Sequence, residues 1–535
     1  MSTSVQFARK SVLSGMAGAF VILSNFLSSI VTARILGLSG TGEVAYIVWL
    51  LSISAIVVDL GFASVVARYV PEMRGRGEYR QADQLAGYLV CVLIAFMLAL
   101  CVLTLVYLHL QPYFGFGITT TFGSTSLLIL MAIFVCAGAL GLFAQYYLRG
   151  LQDFGKLARI CGAQLAIQVL CVALGSLFFG VEGAVGGYVA GLIIPAVYAL
   201  CLVPHAAPVE TALWLRVRRY AVYAWAANIA NAFVWARIEV FFLQLYWDNK
   251  AVGLFTVALT LTNLAAQGPT LLTTAVLSVL AEKRGKNDTE SIRRIFCTGT
   301  RMVAVLVFPA CFGAAAVMPI LIPLIFGPSF APAIPAAVLL VCVSGLAVST
   351  VIVTNLINVL ERNDFLFSNS LFGAVCAVVM GFILVPRLGL MGAAVARAMI
   401  QLLMIASGCW FVTRRLGFAF PLNTLGRVLA ASTASATTAA LCVFVSRSPA
   451  CLLVAIPAAG AVYLLALRAF NALPVSDLAL LIAVSRSLPK PLDVIAQRIV
   501  GFVDSSSTLT NLEPQQHQTN SRADSCKSPP AGGGS

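Results

Sequence analysis

From Gln84 to His109 the chain reads QLAGYLVCVLIAFMLALCVLTLVYLH, without a single Asp, Glu, Lys or Arg. A helix of about 20 such residues matches the ~30 Å hydrocarbon core of a bilayer, at ~1.5 Å of rise per residue. Comparable runs recur along the whole sequence, and the mean hydropathy is +0.95. With 60% of the residues hydrophobic and only 10% charged, the composition lies far outside the range of soluble globular chains. The sequence therefore predicts an all-α polytopic membrane protein of about fourteen transmembrane helices. The spans read as 11–36, 44–70, 84–109, 124–148, 156–179, 183–203, 219–246, 251–280, 295–325, 333–360, 365–386, 389–413, 426–446 and 450–470.

Charge fixes an expected orientation. Taking alternate connections, one side carries Arg9 and Lys10, then Arg74, Arg76 and Arg80, then Arg149, Lys156 and Arg159. The same side continues with Arg216, Arg218 and Arg219, the knot around Lys283 and Arg284, Arg362, and Arg414 with Arg415. The opposite side has little beyond Lys250, Arg387 and Arg447. By the positive-inside rule both termini are expected in the cytoplasm. The net charge of +14 is then a topology signal, and no nucleic-acid partner is expected. The first apolar run is too long for a signal peptide and lacks a small-residue cleavage site, so it is expected to stay. The polar tail after about residue 503 reads as disordered. Cysteines sit within apolar runs, where they behave as small hydrophobes. There is no C-x-x-C pair and the histidines are scattered, so neither a metal site nor a disulfide framework is predicted.

The charged knot PEMRGRGE at 71–78 has a cousin, AEKRGKND, at 281–288. The offset of about 210 positions recurs. LSGTGEVAY around Gly42 aligns with NKAVGLFTV around Gly253, and GVEGAVGGY around Gly183 with GLMGAAVAR around Gly392. An even number of spans per copy gives both copies the same orientation, which describes parallel repeats with a path between two lobes. The expected organisation is a six-helix lobe over 1–204, a cytoplasmic linker over 205–218 and a second six-helix lobe over 219–415. Two additional helices over 416–470 and a cytoplasmic tail over 471–535 complete it.

TARILGLSGTGEVAY at 32–46, followed by DLGFASVVARYVPEMRGRGE at 59–78, resembles the bacterial polysaccharide flippases, which export O-antigen and exopolysaccharide units. These belong to the MATE-like multidrug/oligosaccharidyl-lipid/polysaccharide exporter superfamily. The resemblance covers roughly residues 10–470 and includes the two trailing spans. It implies a substrate, an undecaprenyl-pyrophosphate-linked oligosaccharide, moved from the cytoplasmic to the periplasmic leaflet of the bacterial inner membrane. It also admits a polysaccharide polymerase and a chain-length regulator as partners. No cofactor is called for; coupling to an ion or a proton is left open.

Ionisable groups within spans cost about 2.5–3.5 kcal/mol each on insertion scales and mark functional candidates. Asp59 falls ~22 Å deep on span 2, too far from Arg34 at the outer end of span 1 for a pair between them. It is therefore a coupling or gating candidate. On span 7, Asn228, Asn231, Trp235 and Glu239 recur at helical spacing, with Arg237 on nearly the opposite side. Glu239 is either a second coupling group or the partner of Arg397 on span 12, since the two lie at similar depth. Arg237 and Arg397 are the candidates for binding the pyrophosphate, because guanidinium forks engage phosphate bidentately. Polar stripes supply candidate sugar contacts: Ser14, Gly18, Asn25, Ser29 and Thr32 on span 1, Asn228 and Asn231 on span 7, and Thr256, Thr260, Asn263, Gln267, Thr270 and Thr274 on span 8. Such stripes also serve helix–helix hydrogen bonding. Gly183, Gly187 and Gly191 read as close packing.

Two rivals remain. A multidrug or cation antiporter of the same superfamily would concentrate acidic groups in its cavity, whereas here arginine and carboxylate candidates are balanced. A glycan polymerase or ligase would need catalytic groups on a substantial outer loop, and LQPYFGFGITTTFG at 110–123 offers no acid or base for that. Neither an enzyme nor, in the absence of G-x-x-x-x-G-K-[S/T], an ATPase is expected.

Overall fold

The computed structural model describes residues 3–114 and 125–472, apart from 236, 286–287, 349–350, 361 and 447, together with 474, 477 and 501. Residues 115–123 of the outer loop expected at 110–123 and the tail beyond 501 lie outside the described residues, as do the side chains of Asn231, Trp235, Gln267, Thr270 and Thr274. The elements run α1 (Thr3–Val58), α2 (Phe62–Gly75), α3 (Tyr79–Phe114), α4 (Thr125–Gly150), α5 (Phe154–Leu200), α6 (Thr211–Trp235) and α7 (Glu239–Tyr246). They continue as α8 (Asn249–Gly285), α9 (Thr289–Ile325), α10 (Ile334–Val348), α11 (Val351–Val359), α12 (Asn363–Trp410), α13 (Leu422–Val445) and α14 (Leu452–Ala469). The chain is an all-α polytopic membrane protein, with several described helices long and apolar enough to cross a bilayer.

Helices α5 and α12 each hold two spans, and α1 holds span 1 with the first part of span 2. Their continuity is interrupted by glycines that take φ values open to few other residues: Gly37 (φ 66°) in α1, Gly180 (φ 60°) in α5 and Gly389 (φ 54°) in α12. Gly180 and Gly389 stand about 210 positions apart and share nearly the same backbone, with ψ −132° and −127°. The sequence offset that relates the loops thus also relates these tight turns, whose positive φ strains any residue with a side chain.

The same offset explains a close helix crossing. A Cβ on Gly42 would stand 1.6 Å from the Asn249 carbonyl oxygen, and one on Gly253 would stand 2.4 Å from that of Leu38. Leu38 precedes Gly42 by one helical turn, as Asn249 precedes Gly253. The two contacts are exchanges of one another, so the second half of α1 meets the start of α8 about a local pseudo-twofold. Backbones approach this closely only when neither side chain intervenes.

Two apolar cores flank that crossing. One gathers Val65, Val66, Leu89, Phe143 and Ala199 from α2–α5; the other gathers Phe255, Phe296, Leu340, Leu356 and Val412 from α8–α12 and the turn after α12. The helices α13 and α14 pack on α9 through Phe308, Val428 and Tyr463, whose hydroxyl donates to the Val305 carbonyl at 2.7 Å. Beyond α14, the buried Asp477 accepts from Arg301 Nε at 2.5 Å and Nη2 at 2.8 Å. The hairpin repeated in sequence is held by local charge: Arg76 pairs with Glu72 at 2.6 Å, and Lys283 with Asp288 at 3.6 Å.

Candidate functional site

Two spans expected as continuous helices are broken. Span 2 stops at Val58 and restarts at Phe62, with Leu60 (φ 53°) and Gly61 (φ 77°) in the left-handed region between them. Span 7 stops at Trp235 and restarts at Glu239, with Arg237 at φ 64°. A left-handed arginine is uncommon and is held only where surrounding structure imposes it. Discontinuous spans of this kind bring backbone dipoles and side chains to the middle of a membrane protein.

Asp59 sits at the first break. Its residue is only 1% exposed, and both carboxylate oxygens accept from the Ala63 N–H, at 3.1 and 3.3 Å. It therefore caps the restarted helix α2, satisfying a donor that the break orphans. Helix α6 covers the same break. Trp225 Nε1 donates to the Val57 carbonyl at 2.8 Å, and Asn228 Nδ2 to Ser64 Oγ at 3.1 Å. Asn228, expected among the sugar contacts, is thus engaged by α2, one turn past the break.

The second break re-aims the chain, so the face drawn from Asn228 through Glu239 on one straight helix does not continue into α7. Glu239 is 1% exposed and begins α7; Arg397, 8% exposed, donates through Nη1 to its two oxygens at 3.4 and 3.3 Å. Helix α7 is fastened to α12 at two further points. Trp247 Nε1 donates to the Val385 carbonyl at 2.9 Å, and the Phe242 ring fills the space left by Gly381. With α7 held on α12, the half-buried Arg237 in the turn before it is delivered elsewhere.

That destination is a cavity of about 340 Å³ between α1, α5 and α8. Its walls carry Asn25, Ser29 and Thr32 of α1, Thr256, Thr260 and Asn263 of α8, and Arg237. The expected polar stripes of spans 1 and 8 therefore face each other across one space. Ser14 and Gly18 do not line it, nor do Arg397, Glu239, Asp59 and Asn228. Among the described lining residues Arg237 is the sole cation, and no carboxylate is present. Ser29 Oγ and Thr256 Oγ1 are buried with no hydrogen-bond partner among the described residues. Thr32, Thr41 and Thr260 instead donate to carbonyls one turn back, at 2.6–2.8 Å. Their oxygens keep lone pairs for a donor in the cavity.

Sequence reading missed Thr41, Ser52, Trp49 and Tyr188, which also line this space. Tyr188 lies inside the G-x3-G-x3-G stretch, where a polar ring next to Gly187 was the available signal. The glycines themselves pack closely: a Cβ on Gly187 would stand 2.4 Å from the Val172 backbone nitrogen. No group of three or more potential metal ligands occurs among the described residues.

A profile of the family described as polysaccharide biosynthesis protein matches residues 31–335. The chain belongs to that family. The match contains the α1–α8 crossing, Asp59, Arg237 and the lining residues from Thr32 onward, whereas Asn25 and Ser29 precede it. Among curated relatives, the probable flippase AglR of Haloferax volcanii is 24% identical over 237 residues, covering 44% of this chain and 48% of that protein. The alignment thus spans about half the length of AglR. The probable low-salt glycan biosynthesis flippase Agl15 of the same organism is 21% identical over 400 residues, 74% of this chain and 81% of its own length. The inward closed conformation of the lipid II flippase MurJ superposes with a TM-score of 0.68 at 13% identity, over 86% of this chain and 98% of that one. This family member shares the fold of MurJ.

One further tie lies at the C-terminal end of span 1. Arg34 donates through Nε to the Ile325 carbonyl at 2.8 Å and through Nη2 to that of Leu324. Arg34 thus caps the carbonyl end of α9, where a cation is electrostatically favoured.

Proposed function

We propose that this protein flips lipid-linked oligosaccharide units, joined to their polyprenyl carrier through pyrophosphate, from the cytoplasmic to the periplasmic leaflet for polysaccharide assembly. The observation that carries this reading is the cavity lining: one arginine among hydroxyls and amides, with no carboxylate among the described walls. Such a surface suits neutral sugars joined to an anionic phosphate, since hydroxyls and amides exchange hydrogen bonds with a glycan while guanidinium holds phosphate. A drug or cation antiporter would instead be served by an acid in the same space. Flippase names among the relatives agree with this choice.

In this reading Arg237 receives the pyrophosphate, and Asn25, Ser29, Thr256, Thr260 and Asn263 contact sugars. The Glu239–Arg397 pair holds α7 on α12 and so positions the Arg237 turn. Asp59 is the coupling candidate, at a break where protonation alters the cap of α2. Lobes over 1–204 and 219–415 alternate access about the α1–α8 crossing, with both termini in the cytoplasm of a bacterial inner membrane. The Arg34 tie to α9 then closes the periplasmic side. Moving one negative charge outward releases about 2.3 kcal/mol per 100 mV, inside negative. Two uncompensated phosphate charges would release about twice that.

The test uses inverted membrane vesicles given a lipid-linked oligosaccharide, scoring how much becomes inaccessible to a soluble glycan-modifying enzyme. Wild type protects the glycan, whereas Arg237→Gln, at equal protein level, does not. Full protection by Arg237→Gln removes the arginine from the site. No protection by wild type, alongside cation-driven proton movement, selects the antiporter.

A further inference from the structure

A second pocket, of about 490 Å³, lies between α2 and α6, apart from the central cavity. Its walls are Arg68 and Tyr69 of α2 with Arg216, Arg219, Tyr220 and Tyr223 of α6. Arg68, Arg216 and Arg219 are exposed, and none of them pairs with a carboxylate among the described residues. The closest acid along α2, one turn from Arg68, is Glu72, which is engaged with Arg76 at 2.6 Å. Three like charges facing one space repel each other, and an anion between them relieves that repulsion. The Arg68 guanidinium is already oriented, lying 4.7 Å from the centre of the Tyr220 ring and 5.6 Å from that of Tyr69. Such stacking leaves the edge of the guanidinium fork free for a second acceptor.

The surroundings narrow the anion. On the same stretch of α6, Leu215, Val222 and Tyr223 are 52%, 57% and 68% exposed. Basic, tyrosyl and bare apolar side chains alternating over two turns match the boundary between headgroups and acyl chains, where tyrosine is enriched and arginine can reach outward. A soluble anion would gain nothing from the apolar residues, whereas a lipid phosphate would use both.

We infer that this α2–α6 groove docks phosphate-bearing lipid headgroups, with the acyl or prenyl chains lying against α6. Only the leaflet, the cytoplasmic one, rests on the topology proposed above. Two sources share the chemistry: the pyrophosphate of a polyprenyl carrier and the phosphodiester of a bulk anionic phospholipid.

Arginine footprinting with phenylglyoxal, read by peptide mass spectrometry on the full chain in phosphatidylcholine nanodiscs, tests this. Undecaprenyl diphosphate and phosphatidylglycerol, added separately at equal mole fraction, are the probes. Docking slows modification of Arg68, Arg216 and Arg219 roughly fivefold or more. Arg218, exposed on the same helix but outside the groove, stays unchanged. Protection by undecaprenyl diphosphate alone assigns the groove to the carrier; protection by both probes assigns it to anionic headgroups in general. If neither probe protects, or if Arg218 is protected equally, the inference is overturned. The readout needs no transport. Protection that survives in Arg237→Gln while flipping is lost, or flipping that persists without protection, separates this site from the cavity.

Discussion

Replacing Arg397 by alanine would leave the Glu239 carboxylate, 1% exposed, without its cation. At 3.3 Å and an effective dielectric of about 20, the lost attraction is about 5 kcal/mol before any relaxation. Breaking one side of a buried pair generally costs about 3–5 kcal/mol, because the remaining charge is stranded. The folded-to-unfolded ratio should fall by roughly two to three and a half decades. Unfolding in mixed micelles by a denaturing detergent reads this directly. Trp247, whose indole ties α7 to α12 at the same interface, is a local fluorescence reporter. The double variant Glu239→Leu/Arg397→Met removes both charges and should return to within about 1 kcal/mol of wild type. It should also flip glycan, since α7 would again be held on α12. Two results would refute the reasoning. Arg397→Ala within about 1 kcal/mol of wild type would mean that the pair carries little stability. A double variant as stable as wild type that no longer flips would mean that one of these groups meets the substrate.

The remaining expectations concern the breaks and the crossing. Asparagine caps helices about as well as aspartate, whereas alanine costs ~1 kcal/mol; Asp59→Asn should therefore keep stability and Asp59→Ala lose it. A coupling role for Asp59 predicts that Asp59→Asn abolishes transport in that stable protein, and normal vesicle flipping by the variant would leave the residue only its cap. Gly42→Val places side-chain atoms where the Asn249 carbonyl lies, 1.6 Å from the ideal Cβ position, so folded yield on size-exclusion chromatography should collapse; a monodisperse variant at wild-type yield would contradict the crossing. Arg34→Ala removes both donors to the end of α9, and a cysteine introduced at Thr41 should then react faster with an impermeant thiol reagent added from the periplasmic side. An unchanged rate would show that the tie does not close that face.

Much of this molecule was legible in the residues. Span-length apolar runs dictate a helical membrane protein, because an unsatisfied backbone cannot cross hydrocarbon. The 210-position offset anticipates the matched turns at Gly180 and Gly389. It also aligns Gly42 with Gly253, though nothing in it says that the two would touch. The stripes on spans 1 and 8 follow from helical periodicity, a local property, and the two walls of the cavity were therefore visible before any fold was known. What they would face was not. Glu239 and Arg397 lie 158 residues apart, and only helix packing decides that they meet each other while Arg237 turns to the cavity. Gly61 is the one hint of the first break, and the break at Arg237 has no signature in residue type, since left-handed backbone at leucine or arginine is enforced by neighbours rather than favoured by the side chain. Asn228 was equally ambiguous, because an amide on a polar stripe serves a sugar or a neighbouring serine with the same atoms. The sequence by itself determined the class, the repeat and the polar faces; the tertiary structure alone decided which charges are spent on each other and which one is left for a ligand, because a buried charge takes its role from whatever the fold sets within a few ångströms of it.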